Sequence, residues 1–127
     1  MQADLQGGKE FGDQGERVAA HFLTQKGFKI LERNYRCRLG EIDLIVEKGE
    51  NLYFVEVKTR RSVDAVSPLE LISRSKRIHL SKTAQYYLAK KKWHDRSSQF
   101  ALVAIHWREG RADCEWIEDI FTSEWGY

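Results

Sequence analysis

Asp43, Glu56 and Lys58 are the residues whose types and spacing could do chemistry together. They lie in two runs, Glu41-Ile42-Asp43-Leu44-Ile45-Val46 and Leu52-Tyr53-Phe54-Val55-Glu56-Val57-Lys58-Thr59, separated by Lys48-Gly49-Glu50-Asn51. Both runs alternate and are rich in β-branched or aromatic residues, and a glycine marks the connection, so the stretch predicts an antiparallel hairpin. With Lys48 facing Asn51, Val46 faces Tyr53, Leu44 faces Val55 and Ile42 faces Val57, which makes one face apolar throughout. The same register sets Ile45 opposite Phe54, Asp43 opposite Glu56 and Glu41 opposite Lys58 on the other face. A slip of one residue would drive the acids into the apolar set, so the hydrophobic pattern selects this pairing.

Two carboxylates opposed in this way have Cβ atoms about 4.5–5.5 Å apart, a spacing at which like charges destabilise a sheet. Ile45 and Phe54 beside them predict a partly covered face, where bare anions are costlier still. A divalent cation is the direct compensation. Mg²⁺, with Mn²⁺ as its substitute, accepts one or two protein carboxylates, keeps several waters and takes its remaining oxygens from a phosphate. Lys58 follows Glu56 on the same strand face, where its ammonium could orient an attacking water or stabilise charge developing at phosphorus. These are the parts that phosphodiester hydrolysis requires. Plainer readings stay open beside this one: Glu41 and Lys58 as an ordinary cross-strand ion pair, and the facing acids as one protonated carboxyl or a guard against edge-to-edge aggregation.

The remaining chain predicts the elements that position these residues. Phe11, Gly15, Val18, Ala19, Phe22 and Leu23 recur at helical spacing before Gly27, which predicts a first helix over 9–26 with Glu16 bordering its apolar stripe. Phe28 to Arg36 reads as a strand ahead of the hairpin. Ser67-Pro68-Leu69-Glu70 has the residues of a capped helix start, and helical pattern runs on to about Trp93, with a second cap available near Ser73–Ser75. Phe100 to Trp107 and Ala112 to Ile117 read as two further strands. The predicted order is α-β-β-β-α-β-β in one α/β domain covering the 127 residues.

Set against this frame, the block Gly15-Glu16, Asn34-Tyr35-Arg36, Gly40-Glu41-Ile42-Asp43-Leu44-Ile45, Phe54-Val55-Glu56-Val57-Lys58 and Thr59-Arg60 resembles the bacterial YraN-type family of motif-assigned endonucleases. That family is similar to the PD-(D/E)xK, or restriction-endonuclease-like, superfamily and to archaeal Holliday junction resolvases. The resemblance implies a mixed central sheet flanked by helices. It also implies that Asp43 and Glu56 bind metal, that Glu16 completes the acidic cluster, and that Lys58 is the catalytic lysine. Lys76 and Arg77 match basic positions that contact phosphate, with Arg36, Arg60 and Arg61 as further nucleic-acid contacts. The implied substrate is DNA, branched or recombination intermediates included, with RNA as an alternative; symmetrical cleavage of a four-way junction would call for a homodimer. One departure stands out. Where the family often carries Arg-Phe-Asp after the second helix, this chain has Gln99-Phe100-Ala101.

Bulk properties are compatible with that expectation. The chain is 42% hydrophobic and 31% charged with one proline, a composition that folds a core and does not suit disorder. No apolar run approaches the ~20 residues of a membrane span, so no membrane partner is expected. Met1 to Gly8 has no secretory pattern, and Cys37 and Cys114 have neither disulfide-framework nor metal-ligand spacing, which points to reduced thiols in the cytoplasm. Net charge is only +2, so any hold on a polyanion must come from local basic clumps such as Arg33/Arg36/Arg38 and Arg74/Lys76/Arg77. The plainer account of those clumps is a solvated surface, leaving two other functions to weigh: a binding module without catalysis, and an interaction protein whose acids belong to an ion-pair network. His21 and His79 are expected at the surface. Trp93, Trp107, Trp116 and Trp125 are expected in or over the core rather than stacked on bases.

Overall fold

The computed structural model describes residues 8–60 and 72–122, with side chains from 14 to 59 and from 72 to 122. Helix α1 spans Gly8–Gln25 and α2 Arg74–Lys91; the strands are β1 Lys29–Cys37, β2 Gly40–Lys48, β3 Asn51–Arg60, β4 Ser98–Arg108 and β5 Arg111–Glu118. The five strands form one sheet in the order β1-β2-β3-β4-β5. Its neighbours are antiparallel except β3 and β4, which run parallel. A parallel pair needs a crossover that returns the chain to its starting end, and the connection containing α2 supplies it. The result is the expected α/β architecture with the expected element order.

Strand period places one helix on each face. Leu44, Val46, Tyr53, Val55, Ala101 and Val103 pack with Ala19, Ala20 and Leu23 of α1. Ile45, Leu52, Phe54, Phe100 and Leu102 pack with Leu80, Ala84 and Tyr87 of α2. Both faces of the central strands are therefore buried, which explains why Leu44-Ile45-Val46 is continuously apolar instead of alternating with polar residues.

Local chemistry sets the helix ends. Gly27 adopts φ +95°, and the Phe28 N–H then returns to the Leu23 carbonyl, closing α1. Ser73 caps α2, its hydroxyl accepting from the Lys76 N–H at 3.1 Å, at the break expected near Ser73–Ser75. The earlier cap expected at Ser67-Pro68-Leu69-Glu70 lies outside the described residues, as do Arg61 and Trp125. Cys37 and Cys114 are free thiols on the two edge strands, separated by the width of the sheet. No described helix is long and apolar enough to cross a membrane.

Two close approaches bring both helices to one end of the β2–β3 pair. A side chain at Gly15 would meet Thr59 Oγ1 at 2.8 Å, so only glycine lets α1 come this near to β3. Gly40 plays the same part for α2: an added Cβ would lie 2.8 Å from Thr83 Oγ1, and its φ of +153° already favours glycine. Asp43, Glu56 and Lys58 lie at this pinched end.

Candidate active site

The hairpin register is the one the hydrophobic pattern selects, from Lys48↔Asn51 through Val46↔Tyr53 to Leu44↔Val55. There the ladder stops. Instead of continuing to pair backbone with backbone, the Val57 N–H donates to the carboxylate Oδ2 of Asp43 at 2.8 Å. The alternation breaks at the same residue, for Ile42 packs on the α2 side with Ile45, whereas Leu44 and Val46 pack on the α1 side. The expected apposition of Ile42 with Val57 is thereby corrected: the two belong to opposite layers. Across the next interface Asn34, between the paired Arg33 and Tyr35, takes φ +50°, a left-handed conformation that asparagine tolerates better than most residues. An irregularity of this kind re-aims one side chain without dissolving the strand.

Glu56 continues β3 on the α2 face and is only 3% exposed. Its Oε2 meets Lys76 Nζ from α2 at 3.2 Å and Lys58 Nζ from its own strand at 3.9 Å. Its Oε1 is buried and has no hydrogen-bond partner among the described residues. Burial first, and the Asp43 carboxylate second, push the Glu56 carboxyl up from the ordinary 4.5 to about 7, while Lys76 and Lys58 pull the other way. Burial would lower the Lys76 ammonium, yet Glu56, with Asp43 and Glu41 farther off, outweighs it and holds the group above its ordinary value. The site is thus two interacting acids with two ammonium groups beside the buried one.

The structure distributes the expected residues unevenly. Asp43, Glu56 and Lys58 come together, and Lys76, expected only as a phosphate contact, is the ammonium closest to Glu56. Glu41 is corrected from Lys58 to Arg36: the two residues pair across β1 and β2 with Nε to Oε1 at 2.9 Å, both well exposed. Arg77 lies in the first turn of α2 and donates to the Ile72 carbonyl at 2.9 Å. Glu16 stands on α1, over the opposite face, in a recess lined also by Arg17, Arg33, Asn34 and Leu44. No group of three or more His, Cys, Asp or Glu side chains suited to a metal occurs among the described residues. Arg60 closes β3, its side chain outside the described set. Ala101 is fully buried in the α1-side layer, away from Glu56, so the missing acid at that position leaves the pair untouched. His21 and His79 are exposed, and Trp93, Trp107 and Trp116 flank the core as expected.

A hard cation fits what is present. A buried carboxylate oxygen without a partner is an expensive group that a cation or a proton would satisfy. Glu56 Oε1 is such a group, and Asp43 has a second oxygen besides the one bound to Val57. Two carboxylates are the number that Mg²⁺ or Mn²⁺ takes from protein when water and phosphate supply the rest, and too few for a closed structural zinc site.

Comparison with known proteins gives this arrangement a lineage. Residues 15–105 match the model of "Uncharacterised protein family UPF0102". A UPF0102 protein of Caldicellulosiruptor saccharolyticus is 41% identical over 98 residues, 77% of this chain and 83% of its relative. One from Syntrophus aciditrophicus is 38% identical over 115 residues, 91% of each chain, and one from Syntrophomonas wolfei is 42% identical over 113 residues, 89% of this chain and 98% of its own. The match covers α1 from Gly15 and every element through most of β4, including all four site residues.

Proposed function

We propose, from the premise that this chain belongs to the UPF0102 family, which is the one the YraN-type resemblance names, that it is a Mg²⁺- or Mn²⁺-dependent endonuclease hydrolysing phosphodiester bonds in DNA. Membership of the restriction-endonuclease-like superfamily is part of the same proposal. One observation carries it: a buried carboxylate, Glu56, with an unsatisfied oxygen, held near Asp43 and between two ammonium groups at the pinched end of the sheet.

Asp43 and Glu56 would hold the cation, which when bound supplies Lewis acidity at phosphorus and a more acidic water. Asp43 is aimed by its bond to the Val57 N–H, so its free oxygen has a defined direction. Glu56 is fixed by burial between β3 and α2. Lys58, 37% exposed at its side chain, reaches both Glu56 and solvent, as a group that orients water or stabilises charge on a phosphate must. Arg36 and Arg60, with Arg61, are the proposed backbone contacts, and a homodimer is the proposed form for symmetric cleavage of a branched substrate. Localisation in the cytoplasm belongs to the same reading.

A panel of linear, flapped and four-way DNA, and RNA, incubated with Mg²⁺ or Mn²⁺, tests the proposal. Cleavage should require the divalent ion and vanish in Lys58→Ala and Asp43→Ala while binding persists. No cleavage of any substrate with either ion would refute it.

A second reading is favoured by the Lys76–Glu56 ion pair, which already neutralises the buried acid from within the chain. Under it the protein binds nucleic acid without cutting. Association would then fall with salt, ignore divalent ions, and suffer more from Arg60→Ala or Lys76→Ala than from Lys58→Ala.

A further inference from the structure

Lys76 and Arg77 are adjacent in the first turn of α2, yet the structure uses them differently. Arg77 is tied back to the Ile72 carbonyl. Lys76 reaches across to the sheet and sets its ammonium 3.2 Å from Glu56 Oε2, nearer than Lys58 at 3.9 Å. It therefore stands where positive charge is needed, on the acid that the proposed function assigns to the metal. An ammonium on Oε2 and a divalent cation on Oε1 of the same buried carboxylate repel each other, so each weakens the other's hold on Glu56.

Only one of the groups concerned can move. Glu56 is 4% exposed at its side chain and sits on a central strand between β2 and β4. Lys76 is 34% exposed at its side chain, on a four-carbon stem at the solvent edge of the helix. The helix itself is pinned, by the Ser73 cap and by the close approach of His79 and Thr83 to Gly40, so release of Lys76 is a side-chain event that leaves the backbone in place.

We infer that Lys76 is an interlock: in the metal-free protein it stands in for the divalent cation on Glu56, and it is drawn off by the phosphate backbone of nucleic acid, so metal and nucleic acid bind cooperatively. The inference rests on the metal reading given above and adds the order it imposes. A phosphate arriving at the first turn of α2 offers the ammonium a new anion, and Glu56 is freed for the cation as the substrate seats. The device keeps the acid pair neutral without substrate and makes a complete site conditional on having one.

The test is Mn²⁺ affinity, measured by paramagnetic resonance or calorimetry, with and without a short phosphorothioate DNA duplex that is cut slowly. In the unmodified chain the duplex should tighten Mn²⁺ binding about tenfold, within the usual range of site-to-site coupling. Lys76→Met should bind Mn²⁺ about tenfold more tightly with no DNA present and lose most of the tightening on adding it. Lys76→Arg, which keeps the charge, should retain the coupling. Equal coupling in Lys76→Met and the unmodified chain would overturn the interlock and leave the metal site standing. No Mn²⁺ binding by any of the chains would overturn both. Because removing Lys76 from a buried acid can compromise folding, the unmodified protein offers a second measurement: the ¹⁵N resonance of the Lys76 ammonium should shift on Mg²⁺ saturation in the presence of the duplex, and an unmoved resonance refutes the proposal.

Discussion

The two ends of the β2–β3 pair are made by different means. At the hairpin end, from Leu44 to Lys48 and Asn51 to Val55, every step is a regular backbone pair and the side chains enter two apolar layers. At the open end, from Gly40 to Asp43 and Glu56 to Arg60, the ladder yields to a side chain: Asp43 takes the Val57 N–H, and a buried glutamate sits among lysines. Among the described residues, the first end has no buried side-chain polar atom without a hydrogen-bond partner. The second keeps one carboxylate oxygen unsatisfied, so its charge balance is left for a proton, an ammonium or a metal to finish. The contrast separates a part of the sheet that is satisfied within the fold from a part whose charge balance stays open.

Removing a group from each end should break the comparison into its two halves. Lys58→Met is expected to lower metal-dependent cleavage by about a thousandfold, the scale of losing one preorganised charge at a reacting phosphate. Because this lysine is partly exposed, denaturant unfolding should place its effect on stability within about 0.5 kcal/mol. At the other end, Leu44→Ala deletes a fully buried side chain from the α1-side layer and should cost about 3 kcal/mol in the same assay. Its cleavage rate per folded molecule should stay near that of the parent. If Lys58→Met instead destabilised the protein as much as Leu44→Ala, the open end would be structural and the division would fail.

The same contrast explains what could be read from the sequence. Periodic apolar residues determine the first helix, the five strands and the register from Leu44↔Val55 outward, which were legible from spacing, whereas the second helix was legible from its capping residues. Asp43 beside Glu56 and Lys58 was legible too, because a strand period of two puts alternate residues on one face. The break at Asp43 was not. Nothing in Glu41-Ile42-Asp43 marks a carboxylate that replaces a ladder bond, and the regular extrapolation wrongly paired Ile42 with Val57 and Glu41 with Lys58. Asn34 at a left-handed position was the available signal, one that counting polar and apolar residues overlooks. Lys76 was expected as a phosphate contact and its pairing with Glu56 was missed, since that contact depends on the crossover docking α2 over β3. A pattern within one element cannot register an angle between two.

Glu56→Gln sharpens the comparison through pH. The folded protein holds the Glu56 proton up to about 7, whereas the unfolded chain releases it near 4.5. Between those values the folded state binds more protons than the unfolded one, so this group's contribution is fully present below 4.5 and lost as pH rises through 7. The full difference is on the order of 3 kcal/mol at neutral to alkaline pH. Glutamine cannot ionise, and the two lysines it leaves unpaired are partly solvated. Metal-free Glu56→Gln should therefore unfold with nearly flat stability from about pH 5 to about pH 8, and exceed the parent by about 1–3 kcal/mol at the upper limit. A parent whose stability rises over that window would show that Lys76 and Lys58 overcome the burial of the charge.

Arg36→Ala should have the smallest effect, and it marks where the open end gives way to ordinary surface. Arg36 and Glu41 are in contact at 2.9 Å, but their side chains are 70% and 49% exposed. Water screens such a pair and its two long side chains lose freedom in forming it, so the loss in unfolding free energy should be under about 0.5 kcal/mol. Glu41 also lies close enough to Lys76 to help hold its charge, so freeing the acid should strengthen the local negative field slightly. If Arg36 is a backbone contact as proposed, DNA affinity should drop by a few-fold, evenly across sequences, and the dependence of log affinity on log salt should shallow by about one unit. Unchanged DNA affinity and salt slope would confine the interface to the residues beside Glu56 and leave Arg36 as a solvated partner of Glu41.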